Sequence, residues 1–355
     1  MSSASYYNLF SEWSESQLLE FLQEHGEPVR RGVPLELLRS RCAEIAEESA
    51  NRQRHVQQRV PRALPPAGGA KKKAFICGIN YIGTRQQLSG CINDTRCMHY
   101  LLRHRLGFQD EHMLFMSDDH PDPMRRPTKA NMIQGMQWLM SNVSPGDSLV
   151  FHYSGHGSQE RDRTGVEMDG MNETLVPLDS TYAGQISDDV INQLLVRPLP
   201  TGVKLHAIID SCHSGSMLDL PYMAPCNNGM LHWVAQYRNS QIAASKGTSG
   251  GFAVQFSASA DHEYAADTSS LAGGVATGAA TFAFIQALER RGLNITYGQL
   301  LVEMYNTLMC AGLGQNAGGY DPFFGSLMGG ASRLRGQTPS MSANYAFDFN
   351  APFKM

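Results

Sequence analysis

The chain is poor in charge and shows no excess of either sign: 17% of its 355 residues are charged, and 29 Lys plus Arg against 33 Asp plus Glu leave a net charge of −4. A sequence-wide pull on nucleic acid or anionic lipid is therefore excluded. Residues 1–30 lack a basic patch followed by an apolar run, and Ser2 stands where myristoylation needs glycine, so no secretory address or lipid anchor is expected. Long apolar runs are missing as well. The uncharged stretch nearest to spanning length, residues 271–288, is rich in Gly, Ala and Thr, which contribute little transfer energy, and reads as a buried helix. Cysteine is sparse: seven residues, an odd number and scattered, suit reduced thiols in a cytoplasmic compartment better than a disulfide framework. What the chain does have is apolar mass. At 42% hydrophobic it can bury one large core or two ordinary ones, which excludes disorder throughout and places function in a local site.

Between Ser14 and Glu48 the apolar residues fall at helical spacing, broken at Gly26 and Pro28, and predict two short helices. Residues 51–70 carry four Arg and three Pro with no apolar period and read as a linker, so residues 1–70 form an N-terminal helical region and 71–355 the main domain. In that domain short apolar runs at 74–79, 113–116, 148–153, 203–209 and 252–257 read as buried strands. Helical segments are expected at 94–106, 128–140, 187–195, 281–288 and 297–309, with Thr128 and Ser187 as caps. This alternation predicts an α/β fold, a mostly parallel sheet with helices on both faces, whose chemistry lies beyond the carboxyl ends of the strands.

Two of those ends carry reactive side chains. The strand at 148–153 runs into Ser154-Gly155-His156-Gly157-Ser158, and the strand at 203–209 into Asp210-Ser211-Cys212-His213-Ser214-Gly215. If the two strands are parallel neighbours, His156 and Cys212 emerge side by side as a thiol–imidazole pair. A thiolate there can attack a carbonyl carbon while the imidazole protonates the leaving amine. The N–H groups of Gly157 and Cys212 are the natural donors to the resulting oxyanion. Taken singly, such a Cys is more often a small core residue and such a His a satisfied polar group.

The strings His152-Tyr153-Ser154-Gly155-His156-Gly157 and Asp210-Ser211-Cys212-His213-Ser214-Gly215-Ser216 resemble the two signatures of the type I metacaspases, caspase-fold cysteine peptidases. Gly78-Ile79-Asn80-Tyr81, the segment Leu88 to Asp94, Ser259-Ala260-Asp261 and the segment Gln337 to Ser342 are similar to further motifs of that family, in the same order. The resemblance implies a caspase-like sheet, His156 and Cys212 as the catalytic dyad, and a monomer acting on polypeptides.

Asp94, Asp210 and Ser154 fall at proposed strand ends or the start of a flanking helix. Carboxylates at the bottom of a pocket favour a guanidinium or ammonium group. Locally, Asp94 reads as well as a cap of its own helix and Asp210 as an orienter of the turn; the resemblance implies that both, with Ser154 and Cys91, line the primary pocket and select Arg or Lys. Asp188 and Asp189 at a helix start read locally as helix caps. The resemblance implies instead that they and Asp219 hold Ca²⁺, whose hard charge suits carboxylate oxygens. Asn172 stands where the family pattern has aspartate; its amide oxygen can still coordinate, with one negative charge fewer.

Cys212, His213, Cys226 and His232 match no zinc spacing, and no Gly-x-Ser-x-Gly elbow is present, so a zinc site and a serine hydrolase are set aside. Residues 221–251 read as a long polar loop near the nucleophile. Within it Arg238 and Lys246, and in the linker Arg52, Arg54 and Arg59, are candidate sites of autocatalytic processing. The leading expectation is a calcium-stimulated cysteine endopeptidase cleaving after Arg or Lys; the alternative is a caspase-fold pseudoenzyme acting as a scaffold, against which the retained His156 and Cys212 argue.

Overall fold

The computed structural model describes residues 14–24, 34–35, 37–43, 72–162, 166–167, 170–212, 214–258, 267–272, 275–310 and 338–355. The chain divides into two units, Met1–Pro66 and Ala67–Met355. In the first, helix α1 (Glu15–Glu24) buries Leu18 and Leu22, four residues apart and so on one face, and the helical stretch 37–43 buries Leu38, Cys42 and Ala43. The Cys42 thiol donates to the Leu18 carbonyl at 3.6 Å. The linker expected at 51–70, with Arg52, Arg54 and Arg59, lies outside the described residues.

The second unit opens with β1 (Lys72–Gly78), α2 (Cys91–His104), β2 (Met113–Ser117), α3 (Lys129–Met140) and β3 (Ser148–Ser154). A small antiparallel sheet follows, β4 (Gly157–Arg161), β5 (Met171–Leu175) and β6 (Ile186–Ser187), with α4 (Ser180–Ala183) between its last two strands. Then come α5 (Asp188–Ile191), continued as a π-helical turn over Asn192–Val196, and β7 (Lys204–Asp210). The next segment holds β8 (Tyr222–Asn227), β9 (Met230–Leu231), β10 (Val234–Ala235) and α6 (Ser240–Ser245). The chain closes with β11 (Phe252–Ser257), the hairpin β12 (Asp267–Ala272) and β13 (Val275–Gly278), α7 (Ala279–Arg291), α8 (Tyr297–Cys310) and β14 (Ser340–Ala343).

Strands β2, β1, β3, β7 and β11 pair in parallel, in that spatial order, and β14, β8 and β10 extend the sheet antiparallel. The mostly parallel sheet expected from the sequence is thus the one the chain builds. Every residue of β3 is buried, as a central parallel strand covered on both faces requires. Alternate residues of β1 show why. Ala74 and Ile76 pack with Met98 and Leu102 of α2 and with Phe284 and Met304 of α7 and α8. Phe75 and Cys77 face Met132 and Met136 of α3 and Leu195 of the π-turn. Each such fully buried large apolar side chain contributes roughly 1.5–3 kcal/mol, so the two layers fix the sheet's register.

Three expectations need correction. Residues 221–251 are not one long loop: β8 pairs with β14 and β10 with β8, and α6 closes the segment with the Asn239 side chain accepting from Gln241 N as its cap. Their polar, Gly-containing sequence hid short edge strands. Ser187 likewise caps α5 only by its extended backbone, since its side chain makes no capping bond there. Thr128 does cap α3, accepting from Asn131 N at 3.3 Å. Nor is 271–288 one buried helix: its described residues divide between β12, β13 and α7, and among the described residues no helix is long and apolar enough to cross a membrane.

Candidate active site

Strands β3 and β7 are parallel neighbours with Ser154 opposite Asp210. The Gly155 N–H donates to the Asp210 carbonyl at 3.2 Å, carrying the pairing one residue past the strand ends. His156 and Cys212 each lie two residues beyond that matched pair, so both leave the sheet at one level. Gly157 then packs so closely on the chain at Cys212 that a Cβ would collide with its carbonyl oxygen. Glycine is required there by space. Cys212 is partly exposed, and no disulfide forms among the cysteines.

The imidazole is held on several sides. Its Nε2 lies 2.7 Å from the Gln86 carbonyl, and because a carbonyl only accepts, Nε2 carries a proton. Nδ1 is left as the basic atom of the neutral ring. The Tyr81 ring lies against it at 4.6 Å between centroids. The Tyr81 hydroxyl accepts from His156 N at 3.0 Å and donates to Val176 O at 2.6 Å, and the Tyr153 hydroxyl donates to His156 O at 2.8 Å. Burial raises the pKa of both phenols, which therefore stay protonated donors. Tyr81 itself has φ of 52°, unfavourable for a bulky residue. The Asp118 carboxylate pins that turn, accepting from Asn80 N and Ile82 N at 3.0 Å each.

The turn after Cys212 is tied from below. Gln255 on β11 donates from Nε2 to Ser214 O at 2.5 Å and to Gly215 O at 3.2 Å, and the Ser342 hydroxyl of β14 also donates to Gly215 O, at 2.9 Å. His213, Ser259, Ala260, Asp261 and Gln337 lie outside the described residues.

Asp94, Ser154 and Asp210 come together beside this pair. The buried Asp94 carboxylate accepts from the Ser154 hydroxyl at 2.7 Å and from Gly278 N at 3.0 Å. Asp210 accepts from Thr281 N at 2.7 Å, and a Cβ on Gly278 would strike its carboxylate. Both aspartates therefore meet the N-terminus of α7, where backbone N–H groups and the helix dipole favour negative charge. The cap of α2, by contrast, receives no side-chain bond. Cys91, the first residue of α2, is buried with its carbonyl against Gly78.

Below the Cys212 turn lies an acidic cluster that includes the sequence-selected Asn172, Asp188, Asp189 and Asp219. Asp188 accepts from Glu173 N at 2.9 Å and from Asp189 N at 2.7 Å. Asn172 Nδ2 lies 3.4 Å from Asp189 Oδ2. Glu173 accepts from the Ser216 hydroxyl at 2.7 Å and from Gln159 at 3.1 Å. Burial and mutual repulsion push the pKa of Asp219 up to about 7 and that of Glu167 up to about 8, with Asp188 raised further by burial, Asp219 and Glu173. One cation sits among them. Lys246 Nζ bonds Asp219 Oδ2, lies 2.7 Å from Asp189 Oδ1 and 3.9 Å from Glu167 Oε1. Burial alone would lower its pKa, yet Asp219 and Asp189 outweigh it and keep the ammonium charged.

The donors suit a hard divalent cation: all are oxygens, and the buried Asp219 Oδ1 has no hydrogen-bond partner among the described residues. Among those residues, however, no group of three acidic, His or Cys side chains stands preassembled around one point. The carboxylates are instead arranged about Lys246.

Residues 72–221 match the family description "Metacaspase, peptidase C14 domain". Metacaspase-1 of Arabidopsis thaliana is 45% identical over 304 residues, covering 83% of this chain and 81% of that protein. Metacaspase-2 of the same plant is 42% identical over 314 residues, covering 82% and 74%. The chain belongs to the metacaspase family. It is a cysteine-type peptidase, a hydrolase, and polypeptides are its substrates. A solved structure from Geobacter sulfurreducens shares the fold at a TM-score of 0.50 and 19% identity, covering 80% of this chain and 99% of that one.

Several residues of this metacaspase's site escaped the sequence reading. Gln86 acts through its main-chain carbonyl, which no side-chain pattern records. Tyr81 was visible only as part of a motif, and Gln255 only as one polar residue in an apolar strand. Glu173 and Lys246 join the acidic cluster from distant positions, Glu173 through Asp188 and Lys246 through Asp189 and Asp219. Lys246, considered above as a processing site, has its side chain buried in the acidic cluster.

Proposed function

We propose that this metacaspase is a calcium-stimulated endopeptidase that cleaves after Arg or Lys through Cys212 and His156. The in-register exit of β3 and β7, with Gly157 pressed on Cys212, carries the reading. In it, His156 Nδ1 takes the thiol proton and Cys212 Sγ attacks the scissile carbonyl carbon, forming a C–S bond. The N–H groups of Gly157 and Cys212 face the oxyanion. The imidazolium then protonates the departing amine as the C–N bond breaks. Water, deprotonated by the same imidazole, hydrolyses the thioester and releases the thiol.

Asp94 and Asp210, close together and buried, supply the negative charge that a guanidinium or ammonium side chain would pair with, and Ser154 fixes the orientation of Asp94. A bound cation at Asp188, Asp189, Asp219 and the Asn172 amide oxygen would neutralise mutual repulsion there. Glu173 and Ser216 join that cluster to the Cys212 turn. Cysteines without disulfides fit a cytoplasmic setting. A fluorogenic peptide panel tests specificity: turnover should be faster with Arg than with Asp at the cleavage position and should rise with added Ca²⁺. Faster cleavage after Asp, or activity indifferent to a chelator, contradicts the corresponding half.

A further inference from the structure

The acidic cluster already contains a cation of the chain's own, and this raises the question of what happens to it when a metal arrives. Lys246 is 8% exposed, although lysine has one of the highest costs of burial without a partner. Its position is built rather than incidental. Its backbone closes α6, with Lys246 N donating to Ile242 O and Ala243 O, and its carbonyl accepts from Asn192 Nδ2 at 3.0 Å. The same amide donates to Leu218 O at 3.0 Å and Asp219 O at 3.2 Å, so one side chain ties the turn bearing Lys246 to the turn bearing Asp219. Asp219 has φ of 53°, an unfavourable value that this clamp maintains.

We propose that Lys246 is a tethered cation that occupies the acidic cluster in the absence of calcium and must leave before calcium can bind. This rests on the reading of the cluster as the calcium site. The reason is shared atoms and like charge. Asp219 Oδ2 and Asp189 Oδ1 are oxygens a divalent ion would need, and both are engaged by the Lys246 ammonium. An ammonium and a divalent cation on the same two oxygens repel strongly in a partly buried site. Calcium affinity is therefore set by competition with a group at fixed effective concentration, and is weaker than the donor set alone would give.

The exchange reaches the nucleophile by a short route. Asp219 N donates to Ser216 O at 2.6 Å and the Ser216 hydroxyl donates to Glu173, four residues after Cys212. Replacing a flexible monovalent head with a rigidly coordinated ion thus changes what holds the Cys212 turn, and frees the turn after α6.

The test uses the full chain carrying Cys212→Ala, which cannot process itself, with calorimetric calcium titration of that parent, Lys246→Gln and Lys246→Arg. Removing the ammonium should tighten calcium binding by at least about tenfold, whereas Arg, keeping the charge, should bind no tighter than the parent. A second readout needs no variant at Lys246. Amine acetylation followed by mass spectrometry should find Lys246 protected without calcium and reactive at saturating calcium. Calcium binding in which Lys246→Gln gains no affinity, or in which Lys246 stays protected, overturns the competition and leaves the calcium site standing. No calcium heat in any of the three proteins overturns the site and the competition together.

Discussion

Gly157 lies with its α-carbon against the carbonyl oxygen of Cys212, leaving no space for a methyl group between the two strand exits. The contact makes Gly157→Ala a probe of the paired turns. The added Cβ must push the Cys212 main chain aside, and an ångström-scale displacement of a nucleophile costs on the order of 100-fold in rate. The expected outcome is a kcat reduced by about that factor with KM nearly unchanged. Wild-type kcat in this variant would show that the contact does not position Cys212.

Tyr81 holds His156 by ring and hydroxyl together. Tyr81→Phe keeps the ring and removes the acceptor for His156 N and the donor to Val176 O, which should cost about 1–2 kcal/mol of stability and roughly tenfold in kcat. Tyr81→Leu, lacking the ring as well, should lose more of kcat while KM changes little. A loss of unfolding free energy with kcat per folded enzyme unchanged would reduce Tyr81 to a packing role.

Asp94 separates two readings of the carboxylate pair. If it pairs with a basic side chain, Asp94→Asn should lower kcat/KM for an Arg peptide by roughly 100-fold and for a norleucine peptide far less. Steady-state kinetics on the two peptides decides this. The same loss on both would mean that Asp94 serves only the N-terminus of α7 through Gly278.

His206 offers a pH test remote from the site. It is fully buried beneath Tyr297, with Nε2 2.7 Å from that hydroxyl, and burial, with a smaller contribution from Lys204, pulls its pKa down to about 3. Between about pH 3 and 6.5 the folded chain therefore binds fewer protons here than the unfolded one. The stability contributed by neutral His206 is fully present above pH 6.5 and declines as pH falls. The destabilisation caused by His206→Gln, read from denaturant unfolding, should shrink below pH 6.5 by up to about 1.4 kcal/mol per unit. A difference independent of pH would contradict a buried neutral imidazole.

Much of this architecture was legible because it follows from local pattern. The apolar runs at 148–153 and 203–209 read as buried strands, and His156 and Cys212 just past their ends pointed to one site provided the strands were parallel neighbours, which they are. The antiparallel edge was not legible: β8 and β10 are short and partly or fully exposed, β10 pairs only with β8, and β8 finds β14 only across more than a hundred residues. The calcium candidates were visible as acidic side chains. What they surround was not, since Lys246 lies 57 positions from Asp189 and reads in sequence as a candidate processing site in a loop.

The central claim is that Cys212 and His156 act as one catalytic unit. The most direct measurement is hydrolysis of an Arg-terminated fluorogenic peptide, with calcium present, by the wild-type chain, Cys212→Ala, His156→Ala and the double variant. Each single substitution should remove at least about 1,000-fold of the rate, and the double variant should be no worse than either single one, because members of a unit lose their effect together. Substantial hydrolysis by Cys212→Ala, or losses that multiply in the double variant, would contradict it.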